Sequence, residues 1–293
     1  MINALTIDVE DYFQVNAFAP YIGRDSWDAF PLRVGGNVAR LLDLLDEYEV
    51  SATFFVLGWV AERLPSLVEE IQARGHEIAC HGYGHQLIYR IGPKLFREDI
   101  RRAKQVLEQI TQVKVRGYRA PTYSITSRSL WAFDILIEEG FSYDSSVFPV
   151  YHDTYGMPGT PRFPYTLQRE GGTLEEFPLS TLPVNLPGFT YQLPIAGGGY
   201  LRLLPAAVIM WGIERINQQG KPAVLYLHPW ELDPGQPRIK ANWKSSFRHY
   251  HNLSQTEGKL RYLLQGVSYG TMGQVLGIDD GLPPLVQGHD KLK

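Results

Sequence analysis

The sequence predicts an α/β fold built on a parallel sheet with crossover helices, open or closed into a barrel. Three observations predict it. Over the first 150 residues, short apolar runs alternate with longer runs whose apolar residues recur at helical spacing. That β-α-β-α rhythm is what a parallel sheet requires. The ionisable residues that stand out fall at the C-terminal ends of the apolar runs, the edge at which side chains converge on ligand in such folds. Finally, the chain has 293 residues, 44% of them hydrophobic, enough for a large core in one or two domains.

Taken in order, residues 4–8 (ALTID) read as a buried strand. Residues 38–50 carry Leu41, Leu42, Leu44 and Leu45 at helical spacing, and 51–58 (SATFFVLG) form a strand. Residues 60–75 are helical in pattern; Pro65 breaks the helix or begins a second one, and Gly75 fits its C-terminal cap. HEIACH (76–81) is a strand, 93–111 a long amphipathic helix, and VRGYRAP (115–121) a strand running into a proline-marked loop. A helix over 127–140, closed by Gly140, precedes the strand 141–147. Segment 148–203 is rich in Pro, Gly and Tyr and breaks the rhythm; it reads as loops with irregular strands, one at 174–180. A helix (205–220), a strand (222–228) and a final helix (256–266) complete the pattern, and the tail from Leu282 reads as frayed. No internal repeat or domain linker is visible.

Charged residues make up 20% of the chain and the net charge is −3, so no basic excess marks a nucleic-acid or anionic-membrane binder. The one cysteine, Cys80, allows no intramolecular disulfide. No signal-peptide pattern and no apolar run of transmembrane length is present, so the chain reads as cytoplasmic. Aromatics reach 12%. They suit sugar-facing surfaces, but on composition alone a well-packed core is the better account of them.

Four segments could carry chemistry. Asp8-Val9-Glu10-Asp11 places three carboxylates in four residues, which repel unless a cation lies between them; a helix cap or solvated turn is the plain alternative. Asp8 and Glu10 share a strand face, whereas Asp11 turns in only where the strand ends. His81 and His85 flank a turn with two glycines and can converge on one divalent ion, or simply hydrogen-bond there. Arg119, before Pro121, can hold a carboxylate in a charge-assisted bond or form a surface salt bridge. His228, leaving a buried strand, could be a general acid or a satisfied core histidine. Four strands bringing ionisable groups to one edge are hard to explain by core packing, because unpaired buried charge is destabilising.

In this order TIDVED, HGYGH, RAP and LYLH resemble the motifs of the polysaccharide deacetylases of carbohydrate esterase family four, the nodulation-type deacetylase homology domain. The likeness covers residues 4–230. SATFFVLGW, GGGYLRLLP and RHYHNLSQTEGKLRYLL extend it to a subgroup of exosortase-associated exopolysaccharide loci, which carries a C-terminal extension. The resemblance implies a distorted (β/α)7 barrel over residues 1–230 with an extension, 231–293, packed on the same domain. It implies metal-dependent removal of N-acetyl groups from an N-acetylhexosamine-containing polysaccharide or its precursor. Residue by residue, Asp8 matches the general base, Arg119 the residue orienting it, and His228 the general acid. His81 and His85 match the metal-binding histidines, and Glu10 or Asp11 the metal-binding carboxylate, with Glu10 favoured by strand period. Pro121 and Thr122 stand where the oxyanion and substrate are met. The implied metal is zinc, with cobalt, nickel or manganese as alternatives, and the implied partner is a glycan, lipid-linked in one version, met at the inner membrane face.

The chain departs from the family where D-V-E-D replaces adjacent aspartates and R-A-P-T replaces Arg-Pro-Pro-Tyr. The family's fourth motif, an Asp and a Trp, has only Asp144, Glu176 and Trp230 as candidates here. Trp243, Tyr250 and His251 of the extension are candidate groove walls. Two other functions compete: an allantoinase-like amidohydrolase on a small ureide, and a catalytically silent carbohydrate-binding protein.

Overall fold

The computed structural model describes residues 1–152 and 154–278. Its strands are β1 (Ile2–Val9), β2 (Thr53–Val56), β3 (Glu77–Cys80), β4 (Gly117–Tyr118), β5 (Tyr143–Asp144), β6 (Tyr165–Arg169), β7 (Gly172–Glu176), β8 (Thr181–Leu186), β9 (Phe189–Pro194), β10 (Val224–Leu227) and β11 (Ser268–Gly270). Its helices are α1 (Val34–Glu47), α2 (Gly58–Arg63), α3 (Pro65–Ala73), α4 (Ile88–Thr111), α5 (Trp131–Glu138), α6 (Gly199–Leu203), α7 (Ala206–Asn217), α8 (Trp243–Tyr250), α9 (Thr256–Gly266) and α10 (Met272–Leu276).

Strands β10-β1-β2-β3-β4-β5-β7 form one parallel row, with β6 antiparallel outside β7 and β11 parallel against the start of β1. The row curls into the distorted (β/α)7 barrel, and its two ends meet through irregular backbone at the base of the β8–β9 hairpin. There Leu179 N–H donates to Val147 O, Ile195 N–H to Ser180 O, and Tyr226 N–H to Ala196 O. Gly197 sits in this seam at φ +134°, and a Cβ there would lie 1.8 Å from the Tyr226 carbonyl oxygen. Only glycine fits such an approach.

Strand period explains where the site lies. Leu5, Ile7, Val9, Phe54, Val56, Ile78, Cys80, Leu225 and Leu227 point outward into the main core beneath the helices. The alternate residues point into the barrel, where Ala4, Phe55, Ala79, Val224 and Tyr226 pack together. Continuing that inward phase toward the strand C-termini gives Thr6 and Asp8, His81, Arg119 and His228. The barrel floor is therefore apolar and its mouth polar. Outside, α4 shows why it is a helix: Phe96, Ile100, Ala103, Leu107 and Thr111 recur at three and four residues and are buried.

Several expected boundaries shift for identifiable reasons. The helix expected over 38–50 starts at Val34, because its first amides are capped by Asp11, 23 residues upstream. Two expectations hold: Pro65 begins the second helix, and Gly75 (φ +81°) follows its end. The helix over 93–111 is preceded by a turn, 88–91, across the kink at Gly92 (φ 74°, ψ 173°). Segment 148–203 is more regular than expected, holding the hairpins β6–β7 and β8–β9 and the short α6. The helix over 256–266 is not the last element; β11 and α10 follow it. Leu232, Leu253, Leu260, Leu263, Leu264 and Tyr269 join the same apolar cluster as the barrel. The expected fraying beyond Leu282 lies outside the described residues.

Candidate active site

The mouth of the barrel opens into a cavity of about 490 Å³ whose wall includes Asp8, Glu10, His81, His85, Thr122 and His228. Glu10, His81 and His85 bring one potential ligand atom each to within 4.8 Å of one another. His81 Nδ1 lies 2.8 Å from the Arg119 carbonyl oxygen, so that nitrogen carries the proton and Nε2 presents its lone pair. Burial pushes the His81 imidazolium down to about 4, with Asp8 and Glu10 opposing and His85 adding to the shift, so its ring is a neutral ligand at pH 7. His85 Nε2 lies 2.6 Å from Glu10 Oε2, yet that oxygen is buried without a properly directed hydrogen-bond donor. A buried carboxylate oxygen left this way is unfavourable unless a cation meets it. The donor set, two imidazoles and a carboxylate, suits zinc and its borderline neighbours and leaves coordination positions open. His85 adopts φ +48°, a conformation costly for a side-chain-bearing residue, which turns its ring toward the cluster.

Asp11 is not part of this cluster. Its Oδ2 accepts from the Arg33 and Val34 amides at 2.7 and 2.9 Å, and its Oδ1 from Tyr12 N–H. It caps α1, and the alternative of Asp11 as the ligand carboxylate is corrected on that geometry. Burial raises its pKa and the three amide bonds oppose the rise.

Asp8 and Arg119 form a buried pair at 2.7 Å. Arg119 is fully buried, and its other donors reach Thr6 Oγ1, Ser145 O and Ser145 Oγ at 2.8, 3.2 and 3.0 Å. Every arm is held, so Asp8 Oδ1 is fixed while Oδ2 faces the cavity. The loop after β4 is held in turn: Ala120 N–H donates to Ser146 Oγ, and Ser146 Oγ donates to Asp144 Oδ1. Asp144 and Glu176, partners in the β5–β7 register, thus brace this loop from below and do not line the cavity. Thr122 lines it at φ +55° after Pro121.

His228 Nε2 stands 3.9 Å from Asp8 Oδ2 and 3.6 Å from Glu10 Oε1. Its Nδ1 bonds Glu231 Oε1 at 2.8 Å. Burial opposes the imidazolium, but Glu10, Glu231 and Asp8 outweigh it and push His228 up to about 9. Glu231 is itself held by Arg202, whose Nε is 2.6 Å away and whose guanidinium also reaches the His249 and His251 carbonyls. Trp230 stacks on His228 at 5.1 Å and donates from its indole to Glu10 Oε1 at 3.2 Å. It is the one fourth-motif candidate at the site.

Sequence reasoning missed Glu231 and Arg202. Glu231 had a local signal, an acid three residues after a strand-end histidine, where a capping box forms. Arg202 had none, since nothing in GGGYLRLLP says which way its guanidinium turns.

The polysaccharide deacetylase family model matches residues 26–134. Over those residues the chain matches a polysaccharide deacetylase domain. A second model, a domain of unknown function (DUF3473), matches residues 145–277. The deacetylase match holds His81, His85 and Arg119, and the second match holds Arg202, His228 and Glu231. A peptidoglycan-N-acetylglucosamine deacetylase of Bacillus cereus is 32% identical over 94 residues, 32% of this chain and 34% of that protein. A chitooligosaccharide deacetylase of Sinorhizobium fredii is 34% identical over 98 residues, 33% of this chain and 43% of that one. This chain thus spans about a third of the length of the first of these relatives. A Mycobacterium smegmatis structure assigned as a polysaccharide deacetylase superposes at a TM-score of 0.60 with 25% identity, covering 99% of this chain and 94% of that one. No helix among the described residues is long and apolar enough to cross a membrane.

Proposed function

We propose that this protein is a divalent-metal-dependent hydrolase that removes N-acetyl groups from an N-acetylhexosamine-containing polysaccharide or its precursor in exopolysaccharide biosynthesis. One observation carries the reading: a buried two-histidine, one-carboxylate set, an Arg-held aspartate and a Glu-held histidine face one another across a single cavity.

Held by Glu10, His81 and His85, a zinc ion, or cobalt, nickel or manganese, would act as a Lewis acid toward the acetyl oxygen and would lower the pKa of water. Asp8, aimed by Arg119, takes a proton from the attacking water through Oδ2. The new C–O bond forms as the amide carbonyl becomes an oxyanion. The Tyr123 N–H is engaged with Ala120 O, so the Thr122 N–H is the amide of this turn left to stabilise that oxyanion. His228, protonated, gives its Nε2 proton to the amine as the C–N bond breaks, leaving acetate and a free amino sugar. Glu231 holds the His228 ring and its charge throughout.

The test is acetate release from N-acetylglucosamine oligomers, with and without chelator, alongside elemental mass spectrometry of bound metal and the variant His81→Ala. We expect about one metal per chain, with metal and acetate release both lost in the variant. Metal without acetate release would move the assignment to another amide, a ureide included. No metal uptake after zinc or cobalt is supplied would leave a carbohydrate-binding role.

A further inference from the structure

The catalytic cavity is continuous with a surface of one charge sign. Residues 234–256 contain no Asp or Glu but carry Arg238, Lys240, Lys244 and Arg248, in a chain of net charge −3. Elsewhere several surface arginines are paired: Arg63 with Asp28, Arg74 with Asp43, Arg97 with Glu139, Arg261 with Glu47. Among the described residues none of these four cations meets a carboxylate; Arg238 instead lies over the Tyr250 ring, 4.3 Å from its centre. Phe247 and Arg248, on α8, line the cavity itself. Among the described residues the carboxylates in that lining are Asp8 and Glu10, one tied to Arg119 and one in the ligand set. Arg248 therefore faces the cavity mouth with no carboxylate of the described residues paired to it. On the same helix Trp243 is 77% exposed and Phe247 49%, and Tyr155 and Tyr200 also line the cavity.

We propose that the glycan taken by this cavity is anionic: a carboxylate or phosphate on the sugar next to the N-acetylhexosamine is held by Arg248, with Lys240 and Lys244 extending the track along the polymer. The inference rests on the deacetylase reading and narrows its substrate class. Guanidinium binds planar oxyanions in bidentate fashion, and exposed rings present apolar faces to pyranose. A phospholipid surface is the less fitting occupant. An interfacial helix buries a broad apolar face, whereas α8 has eight residues and one of its two exposed rings, Phe247, faces the cavity.

The experiment compares neutral chitooligosaccharide with hyaluronan fragments of equal length, in which N-acetylhexosamine alternates with uronate, and with a phosphate-substituted N-acetylglucosamine oligomer. The reading is the anionic-to-neutral ratio of kcat/KM, with equilibrium binding measured in parallel. We expect a ratio of about ten or more, falling to about one in Arg248→Ala and lower still in Arg248→Glu, a sign dependence that a structural role would not produce. The double variant Lys240→Ala/Lys244→Ala should lower it less. Raising salt from about 0.1 M to about 1 M, which shortens the screening length from ~10 Å to ~3 Å, should collapse it. Preference for the uronate or the phosphate arm assigns the anion. Acetate release with a ratio of one, unmoved by Arg248→Glu, overturns the inference and leaves the deacetylase reading standing. Arg248-dependent binding of hyaluronan fragments without acetate release does the reverse. Arg248-dependent binding to phosphatidylglycerol vesicles, with no preference among glycans, overturns it in favour of a membrane.

Discussion

The two corners of the cavity each hold a largely buried histidine, and the two rings lie on opposite sides of neutrality. Burial disfavours the charge on both. At His81 the attraction of Asp8 and Glu10 is offset by the neighbouring His85, Nδ1 is spent on a backbone carbonyl, and the pKa falls to about 4. At His228 three carboxylates, Glu10, Glu231 and Asp8, overcome burial and the pKa rises to about 9. One ring is set to be neutral at pH 7 and the other protonated. The lesson is that residue type and burial do not assign a histidine's role; the partner of its second nitrogen and the sign of the charges around it do.

The strongest way to break the comparison is to remove the group that lies between the corners. Asp8→Asn keeps an acceptor for Arg119 but cannot take a proton. Acetate release should fall by on the order of 10²–10⁴ while elemental analysis still finds the metal. Near-full activity would remove Asp8 from its assigned role.

A sharper probe acts on one corner only. If protonated His228 is the general acid, activity should decline as pH rises through its pKa, at or below about 9 once a cation offsets the field of Glu10. Glu231→Gln removes a charge that raises this pKa, so the alkaline limb should move to lower pH, with about a tenfold loss of kcat/KM at pH 8. Because the change strips Arg202 of its buried partner, Glu231→Gln/Arg202→Met serves as the companion that carries no orphaned charge. An alkaline limb unmoved in both variants would deny Glu231 any hold on His228.

The smallest effect distinguishes Glu10 from Asp11. Asp11→Ala removes the cap on α1 and should lower stability by about 0.5–2 kcal/mol, read as a lower thermal midpoint, with metal content unchanged. Loss of metal in this variant would return Asp11 to the ligand set.

Much of this was legible in the sequence. The inward strand phase follows from period two, so Asp8, His81, Arg119 and His228 could be placed at one edge from residue order alone. What was not legible depended on contacts distant in sequence. Neither the start of α1 nor the role of Asp11 can be read locally, because the cap comes from 23 residues away. Arg202 reaches Glu231 across 29 residues, and no spacing rule connects them. The strands inside 148–203 were obscured because their hairpins are half-exposed and carry turn residues within and beside them, which weakens alternation as a signal.

The position of β1 also sets the order in which a growing chain can mature. It carries Asp8 and runs straight into Glu10, yet its flanks are β2 on one side, β10 on the other, and β11 at its start. A nascent chain thus presents β1 with one bare edge until residues beyond 228 have been made, roughly ten to thirty seconds after β2 at ordinary elongation rates. Glu10, His81 and His85 exist early, but His228 arrives with the strand that seals that edge. If His228 is the proton donor, hydrolytic competence and protection from edge-to-edge association come in the same step of synthesis.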